Sequence, residues 1–356
     1  MNHRLRLLRA ALADHGVDAF LVSQPENRRW LSGFTGSAGV LIVTQGEALL
    51  ATDFRYYEQV RQQAPDFALV EVTEKMPPVL AERLAALGAK KVAFEAQDLT
   101  VETYSSWQDA IASVEWVPTA GIIEGLREVK DAGEVAAIER AVAIADRAME
   151  HIYDWIRPGV TELAVAWELE VHMRTHGAER LSFNSIVAAG PRGAMSHAVP
   201  TERPIGRGEP IVIDMGAMVD GYCSDLTRSF CIGEATDEYL RIWSVVQRAQ
   251  EAAEAGIRAG LPGAAADALA RDVIYGEGFE GQFGHGLGHG VGLAIHEGPR
   301  ASRLATTDLP EGSIVTVEPG IYDPAWGGIR IEDMVLVTAE GCRVLTGVAK
   351  VPVVGK

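Results

Sequence analysis

The fold of the part of this chain that carries the chemistry is decided by one stretch, Ile211-Val-Ile-Asp214-Met-Gly-Ala-Met-Val-Asp220-Gly221-Tyr-Cys-Ser-Asp225-Leu-Thr227. The Asp220-Gly221 dipeptide is typical of a tight turn between antiparallel strands, and apolar residues flank it on both sides. The predicted hairpin brings Asp214 and Asp225 face to face. Two buried carboxylates in contact are unfavourable unless a cation or a shared proton compensates them. The alternative is a pair of strand-end carboxylates in solvent.

Three of the nine histidines follow downstream within twelve residues, as His285, His289 and His296. The many glycines between them argue against a helix and indicate backbone that passes close to another group. A single histidine in such a segment would more often be a core residue. Three together favour a metal site or an acid–base site.

Two further carboxylates lie on predicted strands near the end of the chain. Glu318 stands where a β run stops at Pro319-Gly320, and Glu332 follows Arg330 in a segment with a period of two. Arg330 and Glu332 therefore share one strand face, although a simple surface ion pair would show the same pattern. Two aspartates, two glutamates and a histidine form the oxygen-rich ligand set that suits a pair of hard divalent cations.

Signatures of several other enzyme classes are absent from the sequence. The chain has no GxSxG nucleophile elbow and no Walker loop, and its glycines at 284–292 never follow the GxGxxG order. His296-Glu297 lacks the second histidine of an HExxH motif. These absences exclude the common serine-hydrolase, P-loop and dinucleotide-binding patterns.

The composition excludes some partners. With 32 lysines and arginines against 49 aspartates and glutamates, the 356-residue chain has a formal net charge of −17. Such a chain is a poor partner for nucleic acid or an anionic membrane. No apolar run approaches the roughly 18 residues of a membrane span. Three cysteines without a CxxC pair predict a cytoplasmic protein without disulfides.

Periodicity predicts two domains, residues 1–124 and residues 125–356. The first begins with an amphipathic helix over Met1 to Asp14 and then alternates strands with helices, which predicts an α/β domain with a mixed sheet. The second predicts an α+β domain in which helices pack on an antiparallel sheet. Its expected helices cover 131–155, 161–176 and 240–259, a glycine-rich stretch follows, and the last strands cover 314–317, 328–337 and 343–345.

The second domain resembles the pita-bread dinuclear metallopeptidases, a family that includes methionine aminopeptidase, aminopeptidase P and prolidase. The resemblance is carried by Asp214 with Asp225, HGLGH at 285–289, His296, VEPG at 317–320 and GIRIE at 328–332. The first domain, with LSGFTGS at 31–37 and TDFRY at 52–56, resembles the creatinase-type N-terminal domain. Methionine aminopeptidases lack that domain, so the resemblance narrows to the Xaa-Pro-cleaving branch.

The resemblance implies five metal-binding side chains. Asp214 would chelate one ion, His289 and Glu318 would bind the other, and Asp225 and Glu332 would bridge the two. In such enzymes a water held between two dications is the nucleophile, and it attacks the carbonyl before proline. Glu318 would also act as the proton shuttle for this water.

The resemblance also implies side chains that act on the substrate. His296 and His197 would stabilise the substrate carbonyl and the tetrahedral intermediate. His285 would line the proline side of the pocket. Arg330 would fix a ligand carboxylate, and Tyr322 is a further candidate for the same kind of support.

Oxygen-rich ligation favours Mn²⁺ and admits Co²⁺ or Zn²⁺, and Mn²⁺ is the common assignment in this family. Two other functions use the same fold: a metal-free binding protein with the cleft as docking surface, and a creatinase-like C–N hydrolase. Loss of metal ligands would mark either one, and all five positions are filled in this sequence.

A homodimer is a further expectation, in which the first domain of one subunit closes the active site of the other. The loop Arg28-Arg-Trp30-Leu-Ser-Gly-Phe34 motivates it, because two arginines and two aromatics are unusual in bare solvent. The alternative is an ordinary loop packed within one subunit.

Substrate length separates two activities that share the same catalytic residues. Prolidases cut Xaa-Pro dipeptides, whereas aminopeptidases P remove the first residue from longer chains. A dipeptidase needs an arginine for the free carboxylate next to proline, and Arg28, Arg29 or Arg55 could supply it from a neighbouring subunit. The short segment before Arg330 carries the bulky Trp326, which could block a third residue. The sequence therefore favours a prolidase, with aminopeptidase P as the alternative.

Overall fold

The computed structural model describes residues 3–355 and divides into two compact units, Met1–Arg127 and Glu128–Lys356. Both this division and the predicted domain boundary, between residues 124 and 125, fall within one helix, Ile122–Glu128. Met1 and Asn2, which the sequence assigns to the first helix, lie outside the described residues. Within residues 3–355, no helix is long and apolar enough to cross a membrane.

The first unit alternates helices and strands. Its elements are α1 (His3–Asp14), β1 (Ala19–Val22), α2 (Pro25–Ser32), β2 (Val40–Thr44), β3 (Ala48–Asp53), α3 (Tyr57–Gln63), β4 (Ala68–Val72), α4 (Met76–Ala86), β5 (Lys91–Glu95), α5 (Val101–Ala110), β6 (Glu115–Thr119) and α6 (Ile122–Glu128). The strands form one sheet in the order β4-β3-β2-β1-β5-β6, with both parallel and antiparallel pairs. The prediction of an α/β domain with a mixed sheet is therefore confirmed.

The loop that motivated the dimer is packed within its own unit. Arg28, Trp30 and Phe34 are each at most 3% exposed. The Arg28 guanidinium donates hydrogen bonds to the backbone carbonyls of Ser23, Gly36 and Gly39. The alternative of a loop packed within one subunit therefore fits Arg28, Trp30 and Phe34, because the two terminal nitrogens of Arg28 donate to carbonyls of the loop that it closes.

The second unit is richer in strands. Its elements are α7 (Ala132–Trp155), α8 (Glu162–Thr175), β7 (Arg180–Leu181), β8 (Ile186–Ala189), a 3₁₀ turn (Gly190–Ala194), β9 (Pro210–Met215), β10 (Ala217–Val219), β11 (Tyr222–Cys223), β12 (Leu226–Ile232), α9 (Asp237–Gly256), α10 (Gly263–Gly276), β13 (Gly288–Gly290), β14 (Glu297–Ala301), β15 (Ile314–Val317), β16 (Gly320–Asp323), β17 (Gly327–Arg330), β18 (Asp333–Val337), β19 (Cys342–Val344) and β20 (Val353–Val354).

Side-chain caps begin the long helices of this unit where the sequence places them. Asp131 and Glu134 exchange side-chain and backbone hydrogen bonds as a capping box at the start of α7. Thr161 caps α8 by accepting from the Ala164 amide. Each cap satisfies an amide that the first helical turn leaves unpaired.

Two helix pairs cover the strands of the second unit. Helices α7 and α8 share an apolar core with the sheet β20-β12-β9-β8. Helices α9 and α10 pack over residues of the sheet β14-β13-β15-β18-β19 and of the β16–β17 hairpin. The pairs within these sheets are antiparallel except for β12 with β20. The predicted α+β architecture is confirmed.

The hairpin predicted at Asp220-Gly221 forms, with positive φ at both turn residues, 49° and 74°. Its register continues from β10–β11 into β9–β12, where Asp214 pairs with Thr227. Asp225 lies two residues before that partner. The two aspartates are therefore diagonal neighbours on one face of the hairpin, rather than directly opposite as predicted.

Two predicted elements differ from the structure. The stretch after the third predicted helix contains a further helix, α10, which begins directly after Pro262. Its alanines favour helix, and its first residue must be small because a Cβ on Gly263 would lie 2.1 Å from the Arg300 carbonyl oxygen. The predicted strand 328–337 is interrupted at Ile331-Glu332, where the chain passes from β17 to β18.

Candidate metal centre

His289 stands in β13, and its ring nitrogens have distinct surroundings. Nδ1 lies 3.1 Å from the Gly290 carbonyl oxygen, to which it donates. Nε2 lies 3.6 Å from Asp225 Oδ2 and 3.4 Å from Glu318 Oε1. Burial lowers the pKa of His289 to about 3. A neutral imidazole with its Nε2 lone pair directed at two carboxylates is the arrangement of a metal ligand.

The glycines on either side of His289 allow the backbone to approach its neighbours. A Cβ on Gly288 would lie 2.0 Å from the Thr316 carbonyl oxygen, and one on Gly290 would lie 1.9 Å from the Gly298 carbonyl oxygen. No side chain fits at those distances. The glycine-rich sequence is therefore required by close packing of the strands that hold the histidine.

The four carboxyl groups of the predicted ligand set lie around one cavity. Burial and the neighbouring Glu332, Asp214 and Glu318 raise the pKa of Asp225 well above its usual range. Burial together with Glu318 and Asp214 does the same for Glu332, and burial raises the pKa of Glu318 to about 7. So many buried carboxyl groups are unfavourable without positive charge among them.

The donor atoms fit a cation. One ligand atom each from Asp225, His289 and Glu332 lies within 4.8 Å of the others. Asp214 Oδ2 accepts from Arg330, while its Oδ1 is buried and has no hydrogen-bond partner among residues 3–355. A buried carboxylate oxygen without a partner is rare in proteins and is consistent with a missing ligand. Carboxylates with one imidazole suit hard or borderline divalent ions.

Arg330 and Tyr322 form a hydrogen-bonded chain beside the cluster. Arg330 donates from Nη1 to the Tyr322 hydroxyl at 3.0 Å and from Nη2 to Asp214 Oδ2 at 2.6 Å. The Tyr322 hydroxyl in turn lies 2.8 Å from His285 Nε2. His285 Nδ1 donates to the Gly286 carbonyl, and burial lowers the pKa of His285 to about 4. In this series of hydrogen bonds, Arg330 therefore donates to the Tyr322 hydroxyl, and Tyr322 donates to Nε2 of a neutral His285.

A cavity of about 590 Å³ opens above the cluster. His296 and His197 line it, and the His296 ring lies edge-on to His289 with centroids 4.4 Å apart. Burial, followed by Arg300 and His197, lowers the pKa of His296. Its other walls are largely apolar and include Phe183, Val199 and Ile295. The structure thus brings every predicted site residue except Tyr322 to the cavity lining, and Tyr322 contacts two that line it.

Sequence reasoning missed Arg300, which lines the cavity from β14. Arg300 is exposed, and its side chain makes no hydrogen bond or ion pair with a described residue. No local motif indicates it, because only the fold brings Arg300 and His296 to the lining of one cavity. Trp326, by contrast, packs against the apolar core under α9 and α10, so the prediction that it blocks the cavity is wrong.

Thr227 was also missed. Its hydroxyl donates to Glu332 Oε2 at 2.6 Å and accepts from Arg330 Nε at 3.1 Å. Nothing in the local pattern Asp225-Leu-Thr227 shows this contact, since Glu332 is 105 residues away. Only the alternation of side chains on β12 indicated that Thr227 shares a face with Asp225.

Comparisons with known proteins agree with this geometry. Residues 136–339 match the model of metallopeptidase family M24, and residues 4–129 match the Creatinase/Prolidase N-terminal domain. The chain is 40% identical over 343 residues to the uncharacterized peptidase YqhT of Bacillus subtilis, covering 96% of this chain and 97% of that one.

Solved structures are similar over nearly their whole length. The Xaa-Pro dipeptidase from Bacillus anthracis is 42% identical with a TM-score of 0.96, and 98% of each chain is covered. The X-Pro aminopeptidase from Thermotoga maritima is 38% identical with a TM-score of 0.89, covering 95% of this chain and 98% of that one. The resemblance stated from the motifs is confirmed, as is the pita-bread fold behind a creatinase-type domain. The chain belongs to metallopeptidase family M24.

Proposed function

We propose that this protein hydrolyses the peptide bond before proline, in Xaa-Pro dipeptides, with the help of two divalent metal ions. The observation that carries the proposal is the buried cluster of Asp214, Asp225, His289, Glu318 and Glu332 at the floor of one cavity. A binding protein or a metal-free hydrolase would have no use for a carboxyl cluster that is unfavourable without cations.

The five residues of the cluster would hold the two ions, with Mn²⁺ as the expected metal and Co²⁺ or Zn²⁺ as alternatives. When bound, the pair of ions would supply a nucleophilic water near neutral pH and polarise the substrate carbonyl. Glu318 faces the cavity with Oε1 held by the Thr316 hydroxyl at 3.1 Å. It would accept the proton of the attacking water and return it to the proline nitrogen that leaves.

The remaining cavity residues would position the substrate. His296 and His197 would donate hydrogen bonds to the carbonyl oxygen as negative charge develops on it. His285, which burial keeps neutral and which contacts the Tyr322 hydroxyl, would form the wall beside the proline ring. Arg330 would keep Asp214 in place, since its guanidinium is shared among Asp214, Thr227 and Tyr322.

Arg300 supports a dipeptide as the substrate. It offers a guanidinium, unpaired among residues 3–355, to a cavity large enough for two residues. Arginine binds a carboxylate through two parallel hydrogen bonds, which suits the free carboxyl group of an Xaa-Pro dipeptide. The arginines favoured from the sequence are less suitable, because Arg28 is buried and Arg55 is paired with Asp53. The similarity to an X-Pro aminopeptidase favours the alternative, a longer peptide.

The test is kcat/KM of the metal-loaded protein for Ala-Pro and for Ala-Pro-Ala. We expect the dipeptide to be preferred by at least about tenfold, because only its carboxylate can reach a charged partner inside the cavity. Arg300→Met should remove most of that preference by raising KM for Ala-Pro. The matched control is Arg303→Met, an exposed arginine three residues further on. A tripeptide cut as well as the dipeptide would assign the chain to the aminopeptidases.

We also propose a homodimer and a reducing cytoplasmic location. The dimer now rests on a different residue from the one that suggested it: Phe54 is 79% exposed in the first unit, next to Arg55. A second copy that covered this side chain would remove its apolar surface from water. The location rests on the cysteines, none of which is in a disulfide within the described chain.

A further inference from the structure

We infer that Thr227 is a positioning residue that orients two carboxylates of the metal centre at once, Glu332 directly and Asp214 through Arg330. The inference rests on the proposed metal-dependent function. Thr227 is fully buried in β12 and pairs across the sheet with Asp214 in β9. It therefore lies opposite Asp214 in the sheet and contacts Glu332 in the segment between β17 and β18.

The chemistry of the groups fixes the direction of each hydrogen bond. A guanidinium can only donate, so the Thr227 hydroxyl accepts from Arg330 Nε at 3.1 Å. Its single hydrogen then points to Glu332 Oε2 at 2.6 Å. Because Oε2 accepts, one oxygen of Glu332 is held by the protein and the rotation of its carboxylate is restricted.

Thr227 also orients Asp214, but indirectly, through the side chain of Arg330. The guanidinium whose Nε is held by Thr227 donates from Nη2 to Asp214 Oδ2 at 2.6 Å. This contact leaves Asp214 Oδ1 buried without a partner among the described residues. By orienting Arg330, the Thr227 hydroxyl thus sets which oxygen of Asp214 is hydrogen-bonded to the protein and which is available to a ligand.

The backbone of Thr227 adds to the same arrangement. Its carbonyl accepts from the Glu332 amide at 3.1 Å and from Arg228 Nη1 at 3.0 Å. On the opposite face of the strand, Arg228 donates to the Glu332 carbonyl and to Asp333 Oδ1 at 2.7 Å. The main chain of Glu332 is therefore fixed from both sides, and the Thr227 hydroxyl orients the side chain that this main chain presents.

A valine at this position keeps the shape and removes only the hydroxyl. We expect Thr227→Val to weaken Mn²⁺ binding about 10- to 100-fold, the usual effect of losing a group that orients a metal ligand. Thr227→Ser keeps the hydroxyl and should bind within about threefold of wild type. Thr52→Val removes an equally buried hydroxyl in the first unit and should leave the affinity unchanged.

The measurement is calorimetric titration of the chelator-treated protein with Mn²⁺, together with the metal-induced rise in Tm. Thr227→Val should show a reduced rise, while the serine variant keeps it. Equal affinities for valine and wild type would overturn the inference. Wild-type protein that binds no Mn²⁺ would instead overturn the proposed function. Should the valine variant not fold, Thr227→Cys, with its weak S–H donor, is compared with serine, and equal affinities again refute the role.

Discussion

At the scale of single residues, the negative charge of Asp225 destabilises the folded protein when no metal is bound. Burial and three neighbouring carboxyl groups raise its pKa, so its ionisation at neutral pH opposes folding. For an acid with a raised pKa, this loss of stability develops as the pH rises above the ordinary value of 3.8. Asp225 is also a proposed bridging ligand. Its charge therefore lowers the stability of the metal-free protein but is needed for activity with metal.

Asp225→Asn should therefore change two properties in opposite directions. We expect activity and bound metal to fall by more than tenfold, because a bridging charge is lost. The Tm of the metal-free protein should rise, because the buried cluster loses one negative charge. The exposed Asp272→Asn is the control and should change neither. Activity within about tenfold of wild type with both ions bound would contradict the ligand assignment.

At the scale of elements, α7 and α8 meet through three stacked histidine rings. His151 and His172 lie 4.6 Å apart between centroids, and His172 and His176 lie 4.0 Å apart. His151 Nε2 pairs with Glu168 at 2.7 Å, whereas His172 Nδ1 is buried without a partner within residues 3–355. Burial, His176, His151 and Arg147 lower the pKa of His172 below 6.5, although Glu168 opposes this shift.

The lowered pKa of His172 predicts acid sensitivity of this helix pair. As the pH falls below about 6.5, His172 becomes protonated in the unfolded chain but stays neutral in the folded protein. The free energy of unfolding therefore decreases. Denaturant midpoints of metal-free protein between about pH 7 and about pH 5 should fall less for His172→Gln than for wild type. His15→Gln, at an exposed position, should follow wild type. Parallel pH profiles for wild type and His172→Gln would refute the interpretation.

The elements that were predictable from sequence are those with a local cause. The hairpin follows from Asp220-Gly221, and the starts of α7 and α8 follow from Asp131 and Thr161. Helix α10 was missed because the glycines around it mask the helical signal of its alanines. The break at Ile331-Glu332 was missed because the alternation of side chains continues through it, with Ile329 and Ile331 both in the core.

The candidate site was likewise predictable only where local motifs indicate its residues. Each proposed ligand stands in a short motif, and the structure brings these motifs to one cavity. Thr227, Arg300 and the burial of Arg28 were not predictable, because each depends on contacts with residues distant in sequence or on a loop closing over the side chain. A single sequence contains no direct record of such contacts.

At the scale of the whole molecule, the proposed dimer predicts a mass of about twice 38.2 kDa. Light scattering at micromolar protein should give that value, because the exposed Phe54 would be covered by a second copy. Phe54→Ser should shift the population towards monomer, and Phe54→Tyr should not. A wild-type monomer that is fully active at nanomolar concentration would end the proposal.

The two strand faces at the metal centre also limit how this protein can change over evolutionary time. Thr227 contacts Glu332, which lines the cavity, whereas the next residues, Arg228 and Asp333, form an ion pair on the other side. A one-residue deletion in β12 would exchange the two sets and direct a guanidinium at the carboxylates. We therefore expect length variation only in segments outside the ligand strands, such as 302–307, where Ser302 lines the cavity and Leu304 is exposed. New substrate preferences would arise there by insertion, while the ligand strands accept only substitutions.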